Sequence, residues 1–508
     1  MTPQSKPLNE RIDEWIPAKA HKVLAAVTKV FPGDALVLAI AVVVFCLLYA
    51  WSWYTVMRFS SAIEYEGPMF WAANALAHGQ NIYDLARLTS PPWHVITYPP
   101  LFIGMAALLV KIFGPAFWCL RAVTIAAAIA SVFLLYRLLR LSGCAPIVAA
   151  IAPAYFIGFS PTFVWNNCGR PDSVATAFCL AGLERLYSAF LQVEAGKKWL
   201  PSAVMAGVLL ALSCMSKQTS IVCTVSGLIF LVWCKRLPLA AIVAAVMAGS
   251  LVLMGGLAQL ITGGFIQNMV YFGKVHWHYD LMTAHLHFMS DGDVLRCEIL
   301  LAVLIYCIVG RKQTTSVPER LPYVLFGLAF LNMMYMLGLP DSNGNHAIFC
   351  LLALSWWLAW KCSTLPTIAA RIVLLTSLVG VPFLFQYFPG TIAQLPQDPK
   401  VLQQVDLTDK LVLAEDPSLN LLSRSQPAMV DCAVFEAVWS ACEPERVKAF
   451  EQSIARRQFA ALIVNCSDLD GTALMLWPPS TVKVMKDQYK SAGKLSGNGV
   501  CEQLMLPR

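Results

Sequence analysis

Charge is what this sequence has least of. Only 13% of its 508 residues are Asp, Glu, Lys or Arg, while 58% are hydrophobic; a soluble domain carries roughly 25% charged residues. With a mean hydropathy of +0.62, an ordinary soluble protein is excluded and lipid becomes the solvent for most of the chain. Paired cysteines are lacking too: the sixteen cysteines form no CxxC or His–Cys cluster, which removes zinc, haem and thioredoxin-type chemistry. No Gly-rich Rossmann fingerprint marks a nucleotide site. The formal net charge is +7, but the basic residues lie in short clusters between apolar stretches rather than along one face, so nucleic acid is not an expected partner.

What is present is a series of apolar stretches from Gly33 to Phe388, each near the ~20 residues a membrane helix needs. Spans are expected near 33–54, 115–136, 145–160, 173–191, 200–216, 221–234, 238–262, 295–310, 321–338, 347–360 and 367–388. The first, Ala35 to Tyr54, comes too late and runs too long for a signal-peptide core and should be retained. Before it, residues 1–32 form a cytoplasmic amphipathic segment. Ile12, Trp15, Ile16, Val23, Leu24, Val27 and Phe31 share a helical face, beside Arg11, Lys19, Lys22 and Lys29 for headgroups; an ordinary solvated amphipathic helix is the alternative.

With the amino terminus inside, the inner loops collect Arg137 and Arg140, Lys197 and Lys198, Lys235 and Arg236, Arg311, Lys312 and Arg320, then Lys361 and Arg371, the positive-inside pattern. The assignment requires Pro99 to Gly114, which opens with Pro-Pro and holds Lys111, to be interfacial or re-entrant. The outer face then receives loops 55–98, 161–172, 217–220, 263–294 and 339–346, followed by residues 389–508. In that tail KLVLAE, PAMVD and FAALIVN read as buried strands and PERVKAFEQSIARRQ as a helix between the last two. The expected fold is mainly α: a polytopic membrane helix bundle of about eleven spans over 33–388, amino terminus in and carboxyl terminus out, with a small extracytoplasmic α/β domain. Cys432, Cys442, Cys466 and Cys501 could form two disulfides there, guessed as Cys432–Cys442 and Cys466–Cys501.

The outer loops hold the unusual polar residues. Glu64 and Glu66 sit just past the first span, where a carboxylate can act as a base or simply be solvated. Asp172 opens an apolar helix after Arg170 and can serve a site or only cap that helix. Lys217, in SCMSKQTS, has almost no loop around it; an ammonium near lipid meets an anion such as a lipid phosphate or snorkels to the interface. His276, His278, Asp280, His285 and His287 raise a metal site, but without cysteine or a close carboxylate cluster a polar substrate rim is the stronger reading. DSNGNHAIF, with Asp341, Asn343, Asn345 and His346, is a further polar patch that turn and cap chemistry largely explains.

In their order these motifs resemble the GT-C superfamily of membrane glycosyltransferases, which includes protein O-mannosyltransferases and the aminoarabinose transferases of lipid A. YEGPMFWAANALAHGQNIY is similar to the acidic first-loop motif, with Glu66 matching its second acid and Tyr65 standing where the first often is. GRPDSVATAF resembles the second acidic motif, YPPLF the PPL segment with Tyr98 in place of a Lys or His, SKQTS a Lys-Gln-Thr element, and SNGNHAIF a late Asn motif. The resemblance covers roughly the first 390 residues. It implies an inverting glycosyltransferase of the plasma (inner) membrane, acting at its extracytoplasmic face. The donor would be a polyprenyl-phosphate sugar and the acceptor a glycan, lipid or protein. Glu66 or Glu64 would be the base and Asp172 would hold acceptor or base. Lys217 is the first choice to meet the donor phosphate and Arg121 and Arg170 the second, with Tyr98, His346 and Asn345 supplying further contacts. No cofactor is expected, with a divalent cation left open. The alternatives are an O-antigen polymerase or ligase, which should carry a larger central outer loop, and a glycolipid transporter, which would place its polar residues near the bilayer midplane.

Overall fold

The computed structural model describes residues 46–58, 66–291 and 317–364, apart from 48, 159, 340, 341 and 343. In the tail it describes 402 and 405–508, apart from 433–437, 440, 441, 471–476 and 497–500. The expected amphipathic segment, the spans at 295–310 and 367–388, and Glu64 lie outside the described residues. Residues 1–49 and 50–508 divide into two units; the second is described below.

Its helical body runs through α1 (Glu66–Ala77), α2 (Pro100–Phe113), α3 (Phe117–Leu141), α4 (Pro146–Gly158), α5 (Ser160–Asn167), α6 (Asp172–Glu194), α7 (Leu200–Ser216), α8 (Ile221–Trp233), α9 (Leu237–Thr262), α10 (Phe265–Tyr271), α11 (Tyr279–Asp291), α12 (Val317–Leu337) and α13 (Ile348–Thr364). Prolines open α2, α7 and α9, where the missing N–H costs nothing. Gly263, at φ 70°, ends α9 in the left-handed region, the usual glycine stop. Among the described residues four helices are long and apolar enough to cross a membrane: Phe117–Leu141, Asp172–Glu194, Leu237–Thr262 and Glu319–Leu337. The 25 residues of α3 rise ~37 Å, more than the ~30 Å hydrocarbon core. On α9, Val252, Leu253, Leu257, Leu260 and Ile261 are exposed, as side chains facing lipid would be. Its other face packs on α7, where a Cβ on Gly207 would come within 2.8 Å of Val246, the close approach that small residues allow between membrane helices.

Each expected span that falls on described residues coincides with a helix. The segment 99–114 is α2, whose 14 residues reach ~21 Å, short of the hydrocarbon core. Two segments read as outer loops are partly helical: the first contains α1, the 263–294 loop α10 and α11. Helix α1 is two-faced, with Met69, Phe70, Ala72 and Ala73 buried and Trp71 and Asn74 half-buried.

The tail forms a five-stranded sheet in the order β2–β1–β3–β5–β4, made of β1 (Leu411–Ala414), β2 (Gln426–Pro427), β3 (Ala461–Asn465), β4 (Tyr489–Ser496) and β5 (Cys501–Pro507). Strand β1 runs parallel to β2 and β3, and β5 antiparallel to β3 and β4. The expected helix appears as α14 (Pro444–Ala455), and a second follows at α15 (Pro479–Gln488). KLVLAE and FAALIVN supply β1 and β3 as read, but PAMVD leaves the sheet after Pro427. It pairs with the first loop of the membrane body: Trp93 N–H donates to Ala428 O at 2.8 Å, and Val430 N–H to Trp93 O at 3.0 Å. The Trp93 ring packs against Trp439, Phe450 and Phe459, so the tail's apolar core includes a residue of the membrane body.

Cys466 and Cys501 form the guessed disulfide, joining the end of β3 to the start of β5. The other guessed bridge does not form: the Cys432 thiol donates to Ala414 O at 3.5 Å and that of Cys442 to Lys274 O at 2.9 Å. Closing a 35-residue separation restricts the unfolded tail by roughly 3–4 kcal/mol. Cys501→Ser is therefore expected to lower the melting temperature of the tail, followed by tryptophan fluorescence, and reductant should do the same to the wild type. Coincident melting curves would show that the bridge contributes nothing.

Candidate active site

The turn between α5 and α6, CGRPD, organises the polar end of the body. At Gly169 the chain passes so close to α3 that a Cβ would lie 2.5 Å from Leu120 Cβ and 3.2 Å from Glu66 Oε1. Its N–H donates to Glu66 Oε1 at 2.5 Å. The same carboxylate takes two bonds from Arg121 in the first turn of α3, Nε to Oε1 at 2.9 Å and Nη2 to Oε2 at 2.5 Å. Arg121 Nη1 donates to Val56 O at 2.7 Å. Both side chains are 0% exposed. Burying either charge alone costs several kcal/mol, so the fork geometry is what makes the pair tolerable.

Arg170, next in the turn, donates from Nη2 to the Tyr98 hydroxyl at 2.7 Å, with its guanidinium 5.3 Å from the Tyr98 ring centroid and 5.2 Å from that of Trp165. Asp172 is the first residue of α6 and Lys217 the residue that ends α7. The Lys217 ammonium donates to Asp172 Oδ1, and both are buried. Around them Ser216 Oγ donates to Pro171 O at 3.1 Å and Ser213 Oγ to Ala175 O at 2.7 Å, tying the end of α7 to the start of α6. Gln218 Nε2 reaches Thr97 O at 2.8 Å. Asp172 Oδ2 has no hydrogen-bond partner among the described residues, nor has Asn345 Oδ1. Both residues line a small cavity together with Thr176, Lys217, Thr219 and His346.

Four of the expected site residues, Asp172, Lys217, Asn345 and His346, thus meet in one cavity. Glu66 and Arg121 join the same turn through Gly169, and Arg170 with Tyr98 lies between. Asp341 and Asn343 fall outside the described residues. Among the described residues no three His, Cys, Asp or Glu side chains gather to hold an ion, and in the histidine loop His285 Nδ1 lies 2.8 Å from Leu337 O.

One neighbour was not foreseen. Asp416 of the tail reaches α1, where a Cβ on Gly67 would fall on its carboxylate. Burial pushes the Asp416 carboxyl up from 3.8 to about 6, against hydrogen bonds from Ser418 and with the Glu66 charge adding to the rise. Glu415 is raised in the same way by burial and by Asp468, although Trp477 Nε1, at 2.6 Å, and Asn465 N–H, at 3.1 Å, oppose this. A carboxyl whose pKa is raised on folding keeps a proton that the unfolded chain has already released, so the native state loses stability as pH rises through that window. Between pH 3.8 and about 6, the Asp416 contribution should fall by about 2–3 kcal/mol. Asp416→Asn should flatten the dependence of melting temperature on pH; a wild-type melting temperature that climbs across this range would contradict the assignment.

A family model described as dolichyl-phosphate-mannose-protein mannosyltransferase matches residues 97–260, a stretch that includes Tyr98, Arg121, Asp172 and Lys217. A comparison with curated protein sequences returns no match. Solved structures share the fold at low identity. ArnT from Cupriavidus metallidurans, bound to undecaprenyl phosphate, is 11% identical, with 91% of this chain and 97% of that chain covered and a TM-score of 0.57. The archaeal oligosaccharyltransferase AglB from Archaeoglobus fulgidus, in complex with an inhibitory peptide and a dolichol-phosphate, is 12% identical over 90% of this chain and 72% of that one, with a TM-score of 0.58. The arabinofuranosyltransferase AftD from Mycobacteria is 15% identical over 93% and 40%, with a TM-score of 0.52. Over residues 97–260 the chain is thus similar to the mannosyltransferase family model, and over most of its length it shares the fold of ArnT, AglB and AftD.

Proposed function

We propose that the enzyme transfers a sugar from a polyprenyl-phosphate carrier to a hydroxyl-bearing glycan, lipid or protein outside the cytoplasm, with inversion in a single displacement. The observation that carries this reading is the Asp172–Lys217 pair beside a cavity, with one carboxylate oxygen unused. A lipid phosphate competes with Asp172 for the Lys217 ammonium. Once the ammonium turns to the phosphate, the Asp172 carboxylate loses its counterion and becomes the stronger base. The acceptor hydroxyl then attacks the anomeric carbon and gives its proton to Asp172. The bond from that carbon to the phosphate oxygen breaks, and Lys217 stabilises the charge that develops on the departing polyprenyl phosphate. Arg170 and Tyr98 are placed to bind the same phosphate, His346 and Asn345 to orient the sugar. Glu66, whose oxygens serve Arg121 and Gly169, holds the turn that carries Arg170 and Asp172; Glu64 keeps the alternative place as base.

The outer-face assignment is supported by the ends of the helices. Asp172 opens α6 while Lys197 and Lys198 follow its other end, and the 23 residues between rise ~34 Å. In α3, Arg121 lies in the first turn and Arg137 and Arg140 in the last two. The basic loops and the cavity therefore sit at opposite ends, as the positive-inside rule requires of an external site.

In membranes supplied with radiolabelled polyprenyl-phosphate sugar, Asp172→Asn should lower transfer by about 10²–10⁴-fold, and Lys217→Met should lower it comparably. Wild-type turnover in Asp172→Asn would remove the base. Glu66→Gln should act first on folding, through loss of the buried pair, by about 3–5 kcal/mol. A Glu66→Gln protein that melts like the wild type yet transfers no sugar would return the base to Glu66.

A further inference from the structure

A second cavity, of about 740 Å³, opens between the outward face of α1, the loop after it and β2 of the tail. Helix α1 contributes Trp71 and Asn74, spaced i, i+3 along one face, and His78 follows in the turn after the helix. The loop contributes Asp84, Arg87 and His94, and β2 closes the far side with Gln426 and Pro427. His94 is 3% exposed, and neither of its ring nitrogens has a hydrogen-bond partner among the described residues; Asn74 Oδ1 has none either. The imidazole leans on the Trp71 indole, with ring centroids 5.0 Å apart. These are polar atoms buried at the wall of the groove with no partner to satisfy them.

We propose that this groove binds a neutral saccharide, the glycan part of the acceptor. The proposal rests on the transferase reading above and adds to it the acceptor's chemical class and subsite. An indole face accepts the C–H face of a pyranose, while amide, carboxylate, guanidinium and imidazole groups around it exchange hydrogen bonds with hydroxyls, the mixture of apolar floor and a few placed polar groups that ligand sites use. The groove does not select charge: Asp84 and Arg87 lie 3.7 Å apart as an ion pair. His94 is neutral near pH 7, its pKa pushed down to about 4 by burial first and then by Arg87, with Asp84 opposing. A peptide fits less well, because the strand edge it would extend is spent: Pro427 has no N–H, and Ala428 O and Val430 N–H are already bonded to Trp93. Trp71 lies five residues along α1 from Glu66, ~7.5 Å of helix rise, and faces outward while Glu66 is buried against Arg121 and Gly169.

The test uses the purified full-length protein in nanodiscs and saturation-transfer NMR with methyl α-mannoside, methyl β-glucoside and maltotriose as probes, and an unglycosylated tetrapeptide as comparison. Ring-proton signals from at least one saccharide are expected, weakened about 3- to 10-fold in Trp71→Ala, restored by Trp71→Phe, and weakened in His94→Ala but not in His94→Gln. In the transfer assay Trp71→Ala should raise the acceptor KM more than it lowers kcat. Saccharide signals absent from the wild type, equal in Trp71→Ala, or replaced by signals from the tetrapeptide overturn the groove assignment. Saccharide binding that survives in a protein unable to turn over the lipid-linked donor leaves the groove standing and overturns the transferase reading instead.

Discussion

A charge buried among apolar helices persists only beside an opposite charge, and the described polar end of this protein is arranged by that requirement. Glu66 answers Arg121 and Asp172 answers Lys217; elsewhere in the bundle Glu319 answers Lys361 and Glu184 answers Arg137. The pairs at the polar end differ in how completely each carboxylate is used. Both Glu66 oxygens are bonded, and a backbone N–H adds to one of them, which makes the residue a clamp on the CGRPD turn. Asp172 keeps an oxygen in reserve beside a cavity, so it alone of the two can change partner without leaving a buried charge stranded, provided that an anion arrives to satisfy Lys217. In the proposed transfer, ion pairing that stabilises the resting protein belongs to Glu66 on α1, and ion pairing that is exchanged belongs to Asp172 on the turn that Glu66 clamps.

The tail belongs to this arrangement and is not an appendage. Trp93 inserts from the first loop into the tail's aromatic core, and Asp416 returns the contact by lying against Gly67 at the start of α1. The helix that carries Glu66 is therefore held from both sides, by Arg121 beneath it and by the tail beside it. Changes of protonation at Asp416 act on the same few residues that position the candidate base.

The helices were legible because hydrophobic runs of membrane length need no knowledge of partners: those from Phe117 to Thr262 follow the apolar runs closely. Asp172 and Lys217 could be brought to one end of the bundle by order and topology alone. Which acid meets which base could not, since Glu66 and Arg121 are 55 positions apart and their meeting depends on how α1 crosses α3; the two were therefore expected in separate roles, as base and as phosphate contact. In the tail, LVLA and ALIV announce themselves as buried strands, whereas YKSAGKLS in β4 is polar and alternates poorly. Its place in the sheet comes from β5, with which it pairs. PAMVD is apolar enough for a strand, but what it pairs with is Trp93, a residue of another part of the chain. The groove under Trp71 was invisible for a similar reason: one wall comes from α1 and the other from a strand more than three hundred residues later.

In the proposed transfer, Lys217 leaves Asp172 for the phosphate of the donor. A structure of the protein with a bound polyprenyl phosphate shows whether it does. A phosphate oxygen is expected within about 3 Å of Lys217 Nζ, with the Asp172 carboxylate turned toward the cavity of Asn345 and His346. A phosphate bound elsewhere, with the Asp172–Lys217 pair still closed, would contradict it.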